Sequence, residues 1–82
     1  MSFWDEQVEL GTVERDEKGN CIKVTKCKKG SQYYIDIRNY FVNKQGEVAP
    51  TRKGIAIPAD YVKDVADILQ DSLDEVLTLI QE

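Results

Sequence analysis

Residues 33–55 read YYIDIRNYFVNKQGEVAPTRKGI, an aromatic and β-branched run that passes into a polar loop and then into the basic turn Arg52-Lys53-Gly54. From Gln32 to Phe41 there is neither Gly nor Pro, the composition that a pleated strand prefers. Alternation places Tyr33, Ile35 and Ile37 on one face, expected to be core, and Tyr34, Asp36, Arg38 and Tyr40 on the other. Tyrosines beside an arginine offer flat rings for stacking and a planar, permanently charged fork for phosphate. The plainer reading of that face is a solvated one, on which Asp36 and Arg38 offset each other's charge.

Upstream, Val8 to Glu14 reads as a first strand, and Asp16-Glu17-Lys18-Gly19-Asn20 as a hairpin turn. Cys21 to Lys28 alternates, with Ile22 and Val24 expected inward and Lys23, Thr25 and Cys27 outward; Lys29-Gly30-Ser31 signals a second turn. Lys23, Lys26, Lys28 and Lys29 lie on or beside this strand. Lysines often serve only to blunt a sheet edge. Pairing of the second and third strands would nevertheless set Lys23, Thr25, Tyr34 and Arg38 on one face. Phe3 and Trp4 precede the first element and carry no assigned role.

Downstream, the connection from Val42 to Thr51 is longer than a tight hairpin, with Pro50 stiffening its exit. Gly54 allows close approach of backbone or ligand, and Ile55 and Ile57 supply a short fourth strand. Pro58 suits a first helical position. Val62, Val65, Ala66, Leu69, Leu73, Val76, Leu77 and Ile80 then recur at three- and four-residue steps, the buried stripe of an amphipathic helix. At 1.5 Å per residue the helix would be about 35 Å long, more than one small sheet can cover. Part of it is therefore expected to meet a second chain. The competing reading is a lone helix with some exposed leucines.

The 82 residues make a single domain (1–82): a loose N-terminus over 1–7, antiparallel sheet over 8–57 and helix over 58–81. Net charge is −4, yet residues 15–53 hold ten Lys/Arg against four acids, +6, flanked by −4 in residues 1–14 and −6 in residues 54–82. Screening acts over about 8 Å at physiological salt, so a ligand on the sheet feels the local positive field most. Cys21 and Cys27 lie too far apart along one strand to bridge, and with no His in the chain they make a poor zinc site; reduced thiols are expected. The acids of the helix read as a solvated face, since no nucleophile, base or phosphate loop accompanies them. No enzyme, cofactor or metal is expected. No apolar run approaches a membrane span, and MSFWDEQ lacks the features of a signal peptide, so the expected address is cytoplasmic, nucleoid-associated if bacterial.

The run IDIR, then Tyr40 and Phe41, Gly46-Glu47, Pro50 and Arg52-Lys53-Gly54-Ile55 resembles the single-stranded-DNA-binding domain of the transcriptional coactivator positive cofactor four, in a short bacterial-type member. The resemblance covers Tyr33 to Ile57 and extends to Leu10-Gly11 and the helix after Pro58. It implies an α+β fold, a curved four-stranded antiparallel sheet followed by one long C-terminal helix, bent in the family and here expected to bend at Gln70-Asp71-Ser72, paired as a homodimer whose sheets form positive channels for single strands. By position it implies roles for Arg38, Phe41 (commonly tryptophan in the family), Arg52 and Lys53. The family's aromatic near the tip of the second hairpin is missing, for this chain has Cys27-Lys28-Lys29-Gly30 there; whether Tyr34 or Tyr40 replaces it is left open by the alignment.

The expected function is binding of single-stranded DNA with little sequence preference, in transcription regulation, replication or repair. Lys23, Thr25, Lys26, Lys28, Lys29, Arg38, Arg52 and Lys53 would hold the backbone while Tyr34, Tyr40 and Phe41 stack on bases. The alternatives are an RNA-binding protein using the same surface, and a protein-interaction module that meets the transcription machinery through the acidic helix or the sheet edge.

Overall fold

Alternating segments joined by glycine-bearing polar turns fold back on one another in sequence order. The computed structural model describes residues 3–80. Its strands are β1 (Glu6–Glu14), β2 (Cys21–Lys29), β3 (Gln32–Val42) and β4 (Val48–Pro58), followed by helices α1 (Ala59–Asp71) and α2 (Leu73–Ile80). Each strand pairs antiparallel with the next, giving one open sheet in the order β1-β2-β3-β4. Lys29 pairs with Gln32 across the two-residue turn Gly30-Ser31, and Gly30 has φ 63° while no non-glycine residue described has positive φ. That is the II′ pattern, whose twist matches the flanking strands.

Several expectations change here. Of the N-terminal residues expected to be loose, 1 and 2 lie outside the described residues, but Asp5 N–H already donates to Lys28 O (2.8 Å) and β1 begins at Glu6. β4 is not a short strand at Ile55–Ile57 but runs from Val48, because a bulge absorbs the basic turn. Arg38 pairs with Gly54 and Tyr40 with Pro50, so Asn39 alone opposes Thr51, Arg52 and Lys53. The loop is thereby cut to residues 43–47, closed by Asn43 Oδ1, which accepts from the N–H groups of Gln45 and Glu47. Pro50 sits on an edge strand, where a missing N–H is tolerated. Pro58 ends β4 and flanks the helix (φ −56°, ψ 142°) rather than entering it.

The one long helix is two. Ser72 Oγ donates to Ile68 O (2.7 Å), and the chain breaks there, within the stretch where a bend was expected. A serine hydroxyl that bonds back to the preceding turn competes with the backbone ladder and bends helices. The expected end at residue 81 lies outside the described residues. α1 rests on β3 and β4, while among the described elements α2 touches only α1. The expected stripe is therefore half-buried at Val62 and Val65 but exposed from Ala66 onward, including Leu69, Leu73, Val76, Leu77 and Ile80. No helix among the described residues is long and apolar enough to cross a membrane.

The alternation of β2 and β3 is as read, but the more deeply buried side is the other one. Thr25, Cys27 and Asp36 are 6%, 1% and 4% exposed, whereas on the opposite face Ile57, paired with Ile35, is buried, Ile22, Val24, Ile35 and Ile37 are half-buried, and Tyr33 and Ile55 are exposed. The reason is size. On the first face long side chains, Tyr34, Arg38 and Tyr40, stand directly opposite or beside the short Cys27, Thr25 and Cys21 and close over them. Both cysteines are free and buried, and burial first, then the nearby Asp36 charge, pushes the Cys27 thiol up.

Candidate nucleic-acid interface

The face that carries Asp36 is built around an ion pair. Arg38 Nε and Nη2 donate to the two oxygens of Asp36 (3.0 and 2.9 Å), and Nη1 donates to Thr51 O (3.1 Å). The hydrogen bond to Asp36 raises the Arg38 pKa further, so the guanidinium stays charged. Three of its five N–H groups are thus used, leaving two for an incoming phosphate oxygen. Gly54 makes this seat possible: a Cβ there would lie 2.8 Å from Arg38 Cβ and Cγ and from Ile37 O. No side chain fits that gap.

The bulge next to this pair lifts Arg52 and Lys53 into solvent, neither with an acidic partner among the described residues. It is internally tied, with Thr51 Oγ1 donating to Asn39 O (2.8 Å) and accepting from Lys53 N–H (3.0 Å). Two grooves meet here. The larger, about 770 Å³, is lined by Phe3, Trp4, Gln7, Asp36, Arg38, Tyr40, Pro50, Thr51, Arg52 and Ala56. The second, about 470 Å³, is lined by Arg15, Asn20, Asn39, Tyr40, Phe41, Thr51, Arg52 and Lys53. Tyr40, Thr51 and Arg52 line both, so the two grooves adjoin, although alternation sets Phe41 on the opposite side of β3 from Arg38 and Tyr40.

The remaining expected residues divide. Lys23 is on this face, its ammonium 5.5 Å from the Tyr40 ring centroid, but it is also bound to Glu9 Oε1 at 2.7 Å. That hydrogen bond is the main cause of the raised Lys23 pKa and the lowered Glu9 pKa. Lys29 is on the same face, donating to Phe3 O (2.9 Å). Tyr34 lies against Trp4, with centroids 5.2 Å apart. Thr25 is buried opposite Asp36 and cannot reach a ligand. Lys26 and Lys28 are not part of this surface: alternation turns them to the far face, where Lys28 lies 5.5 Å from the Tyr33 ring centroid. Counting the β2 lysines as one group missed that period-two split.

Sequence reasoning also missed Phe3 and Trp4. They sit at the β2–β3 hairpin end of the larger groove, packed edge-on to each other (5.0 Å, 86°). Asp5, whose Oδ2 accepts from Gly30 N–H at 2.7 Å, was the signal available: an acid immediately after an aromatic pair, able to tie the segment to a glycine turn.

A family model described as Transcriptional Coactivator p15 (PC4) matches residues 17–68, more than half of the chain. The crystal structure of a PC4 homolog from Burkholderia pseudomallei K96243 is similar to this chain with a TM-score of 0.72 and 24% identity, covering 87% of this chain and 95% of that one. At that identity the likeness is one of fold. No curated protein sequence matches the chain.

Proposed function

The chain belongs to the Transcriptional Coactivator p15 (PC4) family, and from that membership we propose that it binds single-stranded DNA with little sequence preference along the two joined grooves. The observation that carries this reading is the sharing of Tyr40, Thr51 and Arg52 between a groove holding Arg38 and one holding Phe41 and Lys53. Arg52 and Lys53 contact phosphates, Arg38 contributes its two spare N–H groups, and the Tyr40 and Phe41 rings take unpaired bases. Stacking on such rings is worth about 1 to 3 kcal/mol per base and tolerates any sequence. Duplex bases are already stacked and do not reach the rings.

The working unit in this proposal is a homodimer, joined through the apolar residues that one chain leaves exposed on α1, α2 and the far face of the sheet. Its role is to hold melted DNA open during transcription, replication or repair.

The test is fluorescence anisotropy of a labelled oligothymidine at two salt concentrations. Binding should weaken with a logarithmic slope of about −0.7 per phosphate neutralised, and Arg52→Ala should make that slope shallower by roughly one such unit. A duplex of the same length should bind less well. Absence of binding at low ionic strength, or equal binding of the duplex, defeats the proposal. An oligouridine competitor that displaces the DNA at lower concentration than oligothymidine moves the assignment to RNA.

A further inference from the structure

We infer that Phe3 and Trp4 form a stacking platform for a base of an unpaired strand at the hairpin end of the larger groove. This rests on the reading of that groove as a single-strand site, and it names a ligand contact outside the residues matched by the family model. The tip of the β2–β3 hairpin, Cys27-Lys28-Lys29-Gly30, has no ring of its own. The rings at that end come from the N-terminal segment.

Three contacts fix the segment to the hairpin. Asp5 N–H donates to Lys28 O (2.8 Å), Asp5 Oδ2 accepts from Gly30 N–H (2.7 Å), and Lys29 Nζ donates to Phe3 O (2.9 Å). The rings are thus held before a ligand arrives, which lowers the ordering cost of binding. Trp4 is tilted at 49° to Tyr34, continuing the aromatic surface from β3 onto the segment. Phe3 is 68% exposed and has the Lys29 ammonium 4.8 Å from its centroid. A ring and a cation side by side at a groove mouth match a nucleotide, which presents a flat base and an anionic phosphate together.

The platform also gives the groove two aromatic ends. Tyr34, which bears Trp4, and Tyr40 are six residues apart on one strand, about 20 Å at roughly 3.3 Å per residue. At the ~3.4 Å per-strand repeat of stacked bases, that span holds no more than about six nucleotides. Asp36, Arg38 and Ala56 lie between.

Trp4 is the sole tryptophan of the chain, so its emission reports on this position alone. Wild type and the variants Trp4→Ala and Trp4→Phe are titrated with oligothymidine, following tryptophan emission of the wild type and anisotropy of a labelled strand for all three. Quenching with the same midpoint as the anisotropy change, about tenfold weaker binding by Trp4→Ala with an unchanged salt slope, and near-wild-type binding by Trp4→Phe are the expected results. Unchanged emission on a wild type that binds, or unaltered affinity of Trp4→Ala, overturns the platform and leaves the groove reading intact. Tighter binding by Trp4→Ala overturns it too, by making the segment a plug. A wild type that binds no oligothymidine removes both. Weak binding by Trp4→Phe, with the far-ultraviolet dichroism of wild type, also counts against the platform, since the ring is retained.

Discussion

On the face of the sheet that carries Asp36, polar side chains are covered by their own neighbours, and a charged pair sits with side-chain exposures of only 24% for Arg38 and 5% for Asp36. On the opposite face and along the helices the reverse holds, with Val13 61% and Ile55 59% exposed, joined by Leu73, Val76 and Leu77. A polar surface that organises itself and an apolar surface left bare in the same small chain have different uses. The first has fixed donors and rings for a charged ligand; the second gains free energy only when another apolar surface covers it. In the proposed reading the first surface holds the ligand and the second meets another copy of the chain.

The sharpest way to break this contrast is on the bare side. Leu73→Asp/Leu77→Asp should abolish the proposed dimer, since four leucines per dimer at about 1.5 kcal/mol or more each amount to roughly 6 kcal/mol. Light scattering should give the mass of one chain where wild type gives two, and a dimeric variant would show that α2 is not the interface. The covered side is broken by Arg38→Ala, which strands a buried carboxylate. Urea unfolding at fixed protein concentration should show a loss of about 3 kcal/mol, the low end for a buried pair because the guanidinium is partly exposed. Asp36→Ala/Arg38→Ala should recover most of it, and a double variant as unstable as the single would mean the pair is not what holds that face together.

The smallest effect belongs to the rim. Glu9 is held below the ordinary carboxylate range by Lys23 first and Thr12 second. A carboxylate with a depressed folded-state pKa adds stability above its unfolded value, and that part is lost as pH falls through the folded value. Wild type should therefore lose slightly more stability than Lys23→Ala between about pH 6 and pH 3. Because the pair is exposed, salt should shrink the difference. Identical acid profiles would remove Glu9–Lys23 from the account.

The extent to which this was legible in the sequence follows the same divide. Strand alternation in Cys21–Lys28 and Gln32–Phe41 and the glycine turns are local properties, and they read correctly; the bend near Ser72 was expected from the family resemblance. Which face of the sheet is buried is not local. It depends on Tyr34, Arg38 and Tyr40 closing over Cys27, Thr25 and Cys21, and on the apolar face being only partly covered within one chain, buried at Ile57 but exposed at Val13 and Ile55. The extent of β4 was hidden because a three-residue bulge and a loop look alike until Tyr40 is seen to pair with Pro50. Phe3 and Trp4 were silent because their place is set by hydrogen bonds to a hairpin some 25 residues away in sequence.

The most direct test of the central claim is a map of amide shifts in a 1H–15N spectrum as oligothymidine is added. Shifts should concentrate in residues 34–41 and 50–54, with residues 62–80 of the helices unchanged. Shifts confined to the helices, with the sheet silent, would contradict the assignment of the two surfaces.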